Sequence, residues 1–191
     1  MAEIILIRHG QTEWSAAGRH TSHTDVPLTP DGERQAAALA PALAGRRFAA
    51  VLVSPRRRAR HTAELAGLTV SDIEPDLAEW DYGAYEGRTT ADIRAERPDW
   101  DLWSDGCPGG ESPEQVAARL DRVLARAATL LDTGDVALVA HGHSLRVATA
   151  RWIGLAAADG GRFRLDTGTL SALGFERDRR VLLRWNAPVA G

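Results

Sequence analysis

Lysine is absent from the 191-residue sequence, and all 23 basic residues are arginine. Any anion site must therefore be built from guanidinium groups, histidines or backbone amides. Cysteine is nearly absent. The single Cys107 excludes an intramolecular disulfide framework and any multi-cysteine zinc or iron–sulfur site, and it fits a cytoplasmic protein. No run approaches the roughly eighteen apolar residues that span a bilayer, and no basic stretch followed by a long apolar segment opens the chain. A soluble, unprocessed protein with no membrane partner is expected. A surplus of positive charge is missing too. The net charge of −3 gives no sign of a nucleic-acid partner. Internal repeats, low-complexity tracts and interdomain linkers are lacking as well. One domain over residues 1–191 is the simplest reading, large enough to bury roughly 70% of its unfolded surface without disulfide or metal staples.

What the sequence does have is two apolar runs that end in histidine. Ile4-Ile5-Leu6-Ile7 stops at Arg8-His9-Gly10, and Val136-Ala137-Leu138-Val139-Ala140 stops at His141-Gly142. Short continuous apolar runs read as strands buried on both faces. In open α/β sheets the ligand crevice lies outside the carboxyl ends of the strands, so His9 and His141 are expected to face each other across one pocket. Arg8 adds a fixed cation, and Gly10 and Gly142 allow close backbone approach.

The remaining pattern alternates strand and helix. Thr29-Pro30 reads as an N-cap and first helical residue, with Ala36, Leu39, Ala40 and Leu43 as the apolar face and Pro41 expected to kink or shorten the helix. Ala50 to Val53 is a second buried strand, and Ser54-Pro55 repeats the cap-then-proline signal before a helix running to about Ala66 and stopped by Gly67. Residues 69 to 77 hold a further short strand. Residues 80 to 112, rich in Gly, Asp, Trp and Pro, read as an irregular insertion with a short helix near Thr90 to Glu96. Its aromatics, Trp80, Tyr82, Tyr85, Trp100 and Trp103, would form either a lid or a small core of the insertion. Ser112-Pro113-Glu114-Gln115 is a capping box, and the helix behind it repeats Val116, Leu120, Val123, Leu124, Ala127, Leu130 and Leu131 at helical spacing up to Gly134. A strand at 136 to 140, a helix from about His143 to Leu155, and strands near Thr169 to Glu176 and Val181 to Trp185 complete the chain. The alternation predicts an α/β fold, a three-layer α/β/α sandwich with a mostly parallel central sheet. An exposed edge strand could support a homodimer, although no feature singles out an interface.

Arg56, Arg57 and Arg58 fall at the second to fourth positions of the expected helix, where free N–H groups and the macrodipole attract anions. Two of the three are expected on a solvated basic face. One of them, joined by Arg8, His9 and His141, would have the charge to hold a tetrahedral dianion such as a phosphoryl group. Chemistry and mere binding both stay open at this point.

Four ordered segments carry a family resemblance: Leu6-Ile7-Arg8-His9-Gly10-Gln11-Thr12-Glu13-Trp14, Ser54-Pro55-Arg56-Arg57-Arg58-Ala59-Arg60-His61-Thr62-Ala63, Leu77-Ala78-Glu79-Trp80-Asp81-Tyr82-Gly83-Ala84-Tyr85-Glu86-Gly87 and Val139-Ala140-His141-Gly142. Together they resemble the motifs of the histidine phosphatase superfamily, also called phosphoglycerate mutase-like, and Gly109-Gly110-Glu111-Ser112 resembles a fifth. The resemblance implies that His9 is the nucleophile that becomes phosphorylated, that Arg8, Arg58 and His141 hold the phosphoryl oxygens, and that Glu79, beside Trp80 in a partly closed loop, donates the proton to the leaving group. No metal or other cofactor is then required, because two arginines and a second histidine supply the charge neutralisation that phosphoryl transfer demands. Thr21 and Ser22 match the family's threonine–glycine loop near the phosphate, with serine where glycine is usual, and Ser15 replaces a frequent asparagine. Tyr82, His20 and His143 are candidate pocket residues.

Within the family, mutases carry a longer insertion with an added lysine and paired arginines. This chain has no lysine, and its insertion is acidic and aromatic from Pro98 to Cys107. The resemblance is to the branch of actinobacterial acid phosphatases and sedoheptulose-bisphosphatase-like enzymes. It implies a phosphatase acting on a small phosphorylated metabolite. The alternatives are a phosphoglycerate mutase that uses a phosphorylated cofactor, and a silent phosphate-binding or interaction module.

Overall fold

The structure is a computed structural model that describes residues 2–188. Its centre is a six-stranded sheet in the order β3-β2-β4-β1-β5-β6. The strands are β1 (Ile4–Arg8), β2 (Phe48–Val53), β3 (Asp72–Ile73), β4 (Asp135–Ala140), β5 (Leu170–Glu176) and β6 (Arg179–Ala187). The pairs β3·β2, β2·β4 and β4·β1 are parallel, whereas β5 runs antiparallel to both β1 and β6. The mostly parallel sheet expected from the alternating pattern is present, with an antiparallel edge formed by the two C-terminal strands.

Helices cover both faces, which is why the central strands read as continuous apolar runs rather than alternating ones. On one face, α7 (Pro113–Leu130) and α8 (Gly142–Trp152) pack Leu120, Leu124, Leu145 and Ala148 against Leu6, Leu52 and Leu138. On the other, α2 (Pro30–Ala38), α3 (Ala40–Leu43) and α4 (Arg57–Leu65) pack Leu39, Leu43, Ala59 and Ala63 against Ile5, Ile7, Val51 and Val139. Each such Leu or Ile contributes about 1.5–3 kcal/mol on leaving water. The shorter helices are α1 (Glu13–Ala16), α5 (Thr90–Glu96) and α6 (Leu102–Asp105). Among the described residues no helix is long and apolar enough to cross a membrane.

The helix expected to kink or shorten at Pro41 is shortened: α2 ends at Ala38, and Pro41 is housed in the first turn of a new helix, α3. Two local expectations are corrected. The insertion carries a second short helix, α6, which the anchoring of Leu102 in the core stabilises and Gly106, at φ 63°, terminates. Most consequential, α4 begins at Arg57 with Arg56 as its N-cap, two residues later than Ser54-Pro55 suggested. The Ser54 N–H continues the sheet ladder to the Val139 carbonyl at 3.0 Å, and its hydroxyl is engaged elsewhere, so the chain stays extended. Arg57 and Arg58 are therefore the first two helical residues.

The insertion's aromatics form neither a lid nor a separate core. Trp80, Tyr82, Tyr85 and Trp100 are buried in the same cluster as Leu6 and Leu120, and only Trp103 is partly exposed, with Arg146 stacked over it at 4.4 Å.

Candidate active site

The register of β1 and β4 pairs Arg8 with Ala140, so both strands deliver their histidines at one level, and the His9 N–H donates to the Ala140 carbonyl at 3.0 Å. The His9 and His141 rings meet edge to face with centroids 5.2 Å apart. Gly10 makes this tight turn possible: a Cβ there would stand 2.2 Å from the Gly32 carbonyl oxygen.

His9 is buried, and its Nδ1 lies 2.7 Å from the Gly10 carbonyl oxygen. A carbonyl only accepts, so Nδ1 carries the proton and Nε2 keeps its lone pair. Burial, then the cations of Arg58 and Arg8, push the His9 pKa well below its ordinary 6.5. The result is a neutral ring, oriented by its Nδ1 contact, whose Nε2 lone pair has the chemistry a nucleophile needs.

The surrounding cations are fixed by the backbone. The Arg8 guanidinium donates to the Leu165 carbonyl and lies over Gly142, where a Cβ would be 3.2 Å from its Cζ. Arg58, 1% exposed, donates through Nη1 to Thr24 O (3.1 Å) and through Nη2 to Thr21 O (3.0 Å) and Ser22 O (3.3 Å). His141, 0% exposed, places Nε2 2.6 Å from the Ser54 hydroxyl, and burial followed by the Arg58 cation keeps it neutral well below 6.5. Among the described residues four buried side-chain nitrogens have no hydrogen-bond partner: Nε of Arg8, Arg56 and Arg58, and Nδ1 of His141. Three of the four, on Arg8, Arg58 and His141, belong to the residues grouped around His9. Buried donors are normally satisfied, and a cluster of this kind has the charge and hydrogen-bonding capacity to accept an oxyanion.

Glu79 sits at the N-terminus of α8. Its Oε1 accepts from the N–H groups of Trp80 (2.9 Å) and Ser144 (2.8 Å), and its Oε2 from that of His143 (3.0 Å). The segment around it is clamped from behind. Arg119 makes a two-pronged contact with the Glu111 carboxylate at 2.7 and 2.9 Å and donates to the carbonyls of Asp76 and Ala78, each at 2.7 Å. Glu111 in turn accepts from the Asp81 N–H at 2.9 Å. This gives Gly109-Gly110-Glu111-Ser112 a physical role as the clamp on the Glu79 loop.

A cavity of about 210 Å³ opens in front of His9. Of the residues expected at the site, Arg8, His9, Thr21, Glu79, Tyr82, His143 and His20 line it. Arg58 and His141 are buried beside His9, with the His141 ring 5.2 Å from that of His9. Ser22 does not reach the cavity either: its hydroxyl donates to the Glu79 carbonyl at 3.2 Å and its N–H to the Glu86 carboxylate at 2.9 Å, so it braces two loops. The Tyr82 hydroxyl stands 2.6 Å from His143 Nδ1. Burial, then Glu79, raises the Tyr82 pKa well above 10, while burial and Arg146 hold His143 neutral. Both groups are thus uncharged, and the hydroxyl–imidazole contact can run in either direction. His20 stacks at 4.7 Å on Tyr82, and its pKa falls to about 4 through burial.

Sequence reasoning missed Arg19 and Arg146, which also line the cavity. Arg146 lies four residues after Gly142 on α8, one turn along the same face, a spacing that could have marked it. Arg56 was expected on a solvated face but is half-buried, with Nη2 2.9 Å from His23 Nδ1.

Residues 4–188 match the model of the histidine phosphatase superfamily (branch 1). The chain is 47% identical over 186 residues to an acid phosphatase of Mycobacterium tuberculosis, covering 94% of this chain and 89% of that one. It is 38% identical over 183 residues to the sedoheptulose 1,7-bisphosphatase of Saccharomyces cerevisiae, covering 79% and 67% respectively. A solved structure from Mycobacterium tuberculosis superposes with a TM-score of 0.95 at 43% identity, covering 99% of both chains.

Proposed function

The chain belongs to the histidine phosphatase superfamily, branch 1, and from that premise we propose that it hydrolyses small phosphate monoesters through a phosphohistidine intermediate on His9. The observation that carries this reading is the set of partnerless buried nitrogens around a neutral His9 whose Nε2 is free. Nε2 attacks phosphorus, the N–P bond forms as the ester P–O bond breaks, and Glu79 delivers a proton to the leaving oxygen. Water then attacks the phosphohistidine with Glu79 taking its proton, which releases inorganic phosphate and restores the enzyme. Arg8, Arg58 and His141 hold the phosphoryl oxygens throughout. Preorganised donors of this kind are each worth about 10²–10³ in rate, and the two guanidinium charges match a phosphate dianion without help from a metal.

Thr21, Tyr82 and His143 are the substrate-facing residues on the leaving-group side, while Ser22 acts only through the loops it braces. The acid phosphatase and bisphosphatase relatives support a small phosphorylated metabolite as substrate. A cytoplasmic enzyme that uses no nucleic-acid partner fits the composition. The test is inorganic phosphate release in EDTA from p-nitrophenyl phosphate, phosphoglycerates and sugar mono- and bisphosphates. Release by the wild type and at least about 10³-fold less by His9→Ala is expected. Equal release by both proteins would remove His9 from the reaction.

A further inference from the structure

Ser54 lies outside the groups assigned above, yet it is fully buried and makes the shortest polar contact to His141, Oγ to Nε2 at 2.6 Å. Its backbone is pinned by the N–H bond to the Val139 carbonyl, two residues before His141 on the neighbouring strand. The contact is therefore a product of sheet register, not of a mobile side chain.

A hydroxyl can donate to a neutral imidazole or accept from it, and which it does decides what His141 offers at Nδ1. Here the direction follows from α4. Ser54 Oγ faces the N-terminus of that nine-residue helix and accepts the Arg56 N–H at 3.4 Å. The positive end of the helix favours the hydroxyl with oxygen toward it and hydrogen away, and the group on the far side is His141 Nε2. The opposite arrangement would turn the hydroxyl hydrogen toward the positive end of the helix and leave only a lone pair at His141 Nδ1. The Nδ1 atom is one of the four partnerless buried nitrogens, and it can serve an oxyanion only as N–H.

We propose that Ser54 is a positioning residue that donates its hydroxyl hydrogen to His141 Nε2, and so fixes His141 as the Nδ1–H tautomer that donates to the phosphoryl group. The final step, donation to phosphate, rests on the function proposed above; the tautomer does not. Removing the group that orients a metal-bound histidine lowers function by about 10–100-fold, and a fall of that size in kcat is expected for Ser54→Ala, with KM changed by less than about threefold. Ser54→Thr keeps the hydroxyl and should recover most of the loss.

The decisive readout is nitrogen-15 NMR of histidine-labelled protein, with the His141 signals identified by their loss in His141→Asn. Wild-type protein should show a proton on Nδ1 and a bare, hydrogen-bonded Nε2, and Ser54→Ala should shift His141 toward the Nε2–H form. A proton on Nε2 in the wild type would overturn the proposal, even if Ser54→Ala failed to fold. So would an unchanged tautomer and unchanged kcat in a folded Ser54→Ala. If no ester is hydrolysed, the function fails while the spectrum still decides the role of Ser54.

Discussion

Four histidines, His9, His20, His141 and His143, are held neutral chiefly by burial, with pKa values below the ordinary 6.5. In the unfolded chain each regains its ordinary value, so between the native and unfolded pKa values unfolding takes up a proton per histidine. Stability is fully present above about pH 6.5 and is lost as pH falls, by about 1.4 kcal/mol per pH unit for each group. For His20, whose native pKa is about 4, the loss totals about 3 kcal/mol and ends near that pH. With all four taking part, the slope near pH 5.5 approaches about 5 kcal/mol per unit, a large share of the 5–15 kcal/mol by which domains are usually stable. The assay is urea unfolding of the phosphate-free protein at several pH values between 7.5 and 5, with the slope of stability read as protons taken up. Three to four protons are expected, about one fewer in His20→Gln. A slope below one proton would refute the claim that these histidines are buried uncharged.

Two further substitutions separate placement from stability. Gly142→Ala places a methyl 3.2 Å from the Arg8 guanidinium carbon, so kcat/KM should fall about 10-fold. The urea midpoint should hold or rise, because alanine is the better helix former by about 1 kcal/mol; unchanged kinetics would show that Arg8 has room to move. Arg119→Leu breaks an ion pair whose side chains are 10% and 22% exposed and frees the loop that carries Glu79. Unfolding free energy should drop by about 3 kcal/mol, with kcat falling alongside, and a loss under about 1 kcal/mol would mean that the clamp is solvated.

The layered fold was legible because buried strands and amphipathic helices have different periods: Ile4 to Ile7, Val136 to Ala140 and the Val116-to-Ala127 stripe are set by burial alone. The pairing of His9 with His141 was legible for the same reason, since both follow runs whose ends must lie at the same edge of the sheet. What the sequence hid were local choices between competing hydrogen bonds. Ser54 carries the chemistry of a helix cap, and only the register of β2 against β4 turns its hydroxyl to His141 instead. Ser22 looks like a pocket residue by position, but Glu86 and the Glu79 carbonyl, both distant in the chain, claim its polar groups. The aromatic insertion was ambiguous because a tryptophan-rich loop has no period, and its burial depends on α7, which follows it.

The most direct test of the central claim is rapid-quench trapping of the enzyme during turnover of a phosphorus-labelled ester. Quenching in alkali preserves phosphohistidine, and peptide mapping then locates the label. Transient label on His9 alone is expected, absent from His9→Ala and discharged to water as inorganic phosphate. Release of phosphate in a burst-free reaction with no protein-bound label at any time, or label on another residue, would contradict it.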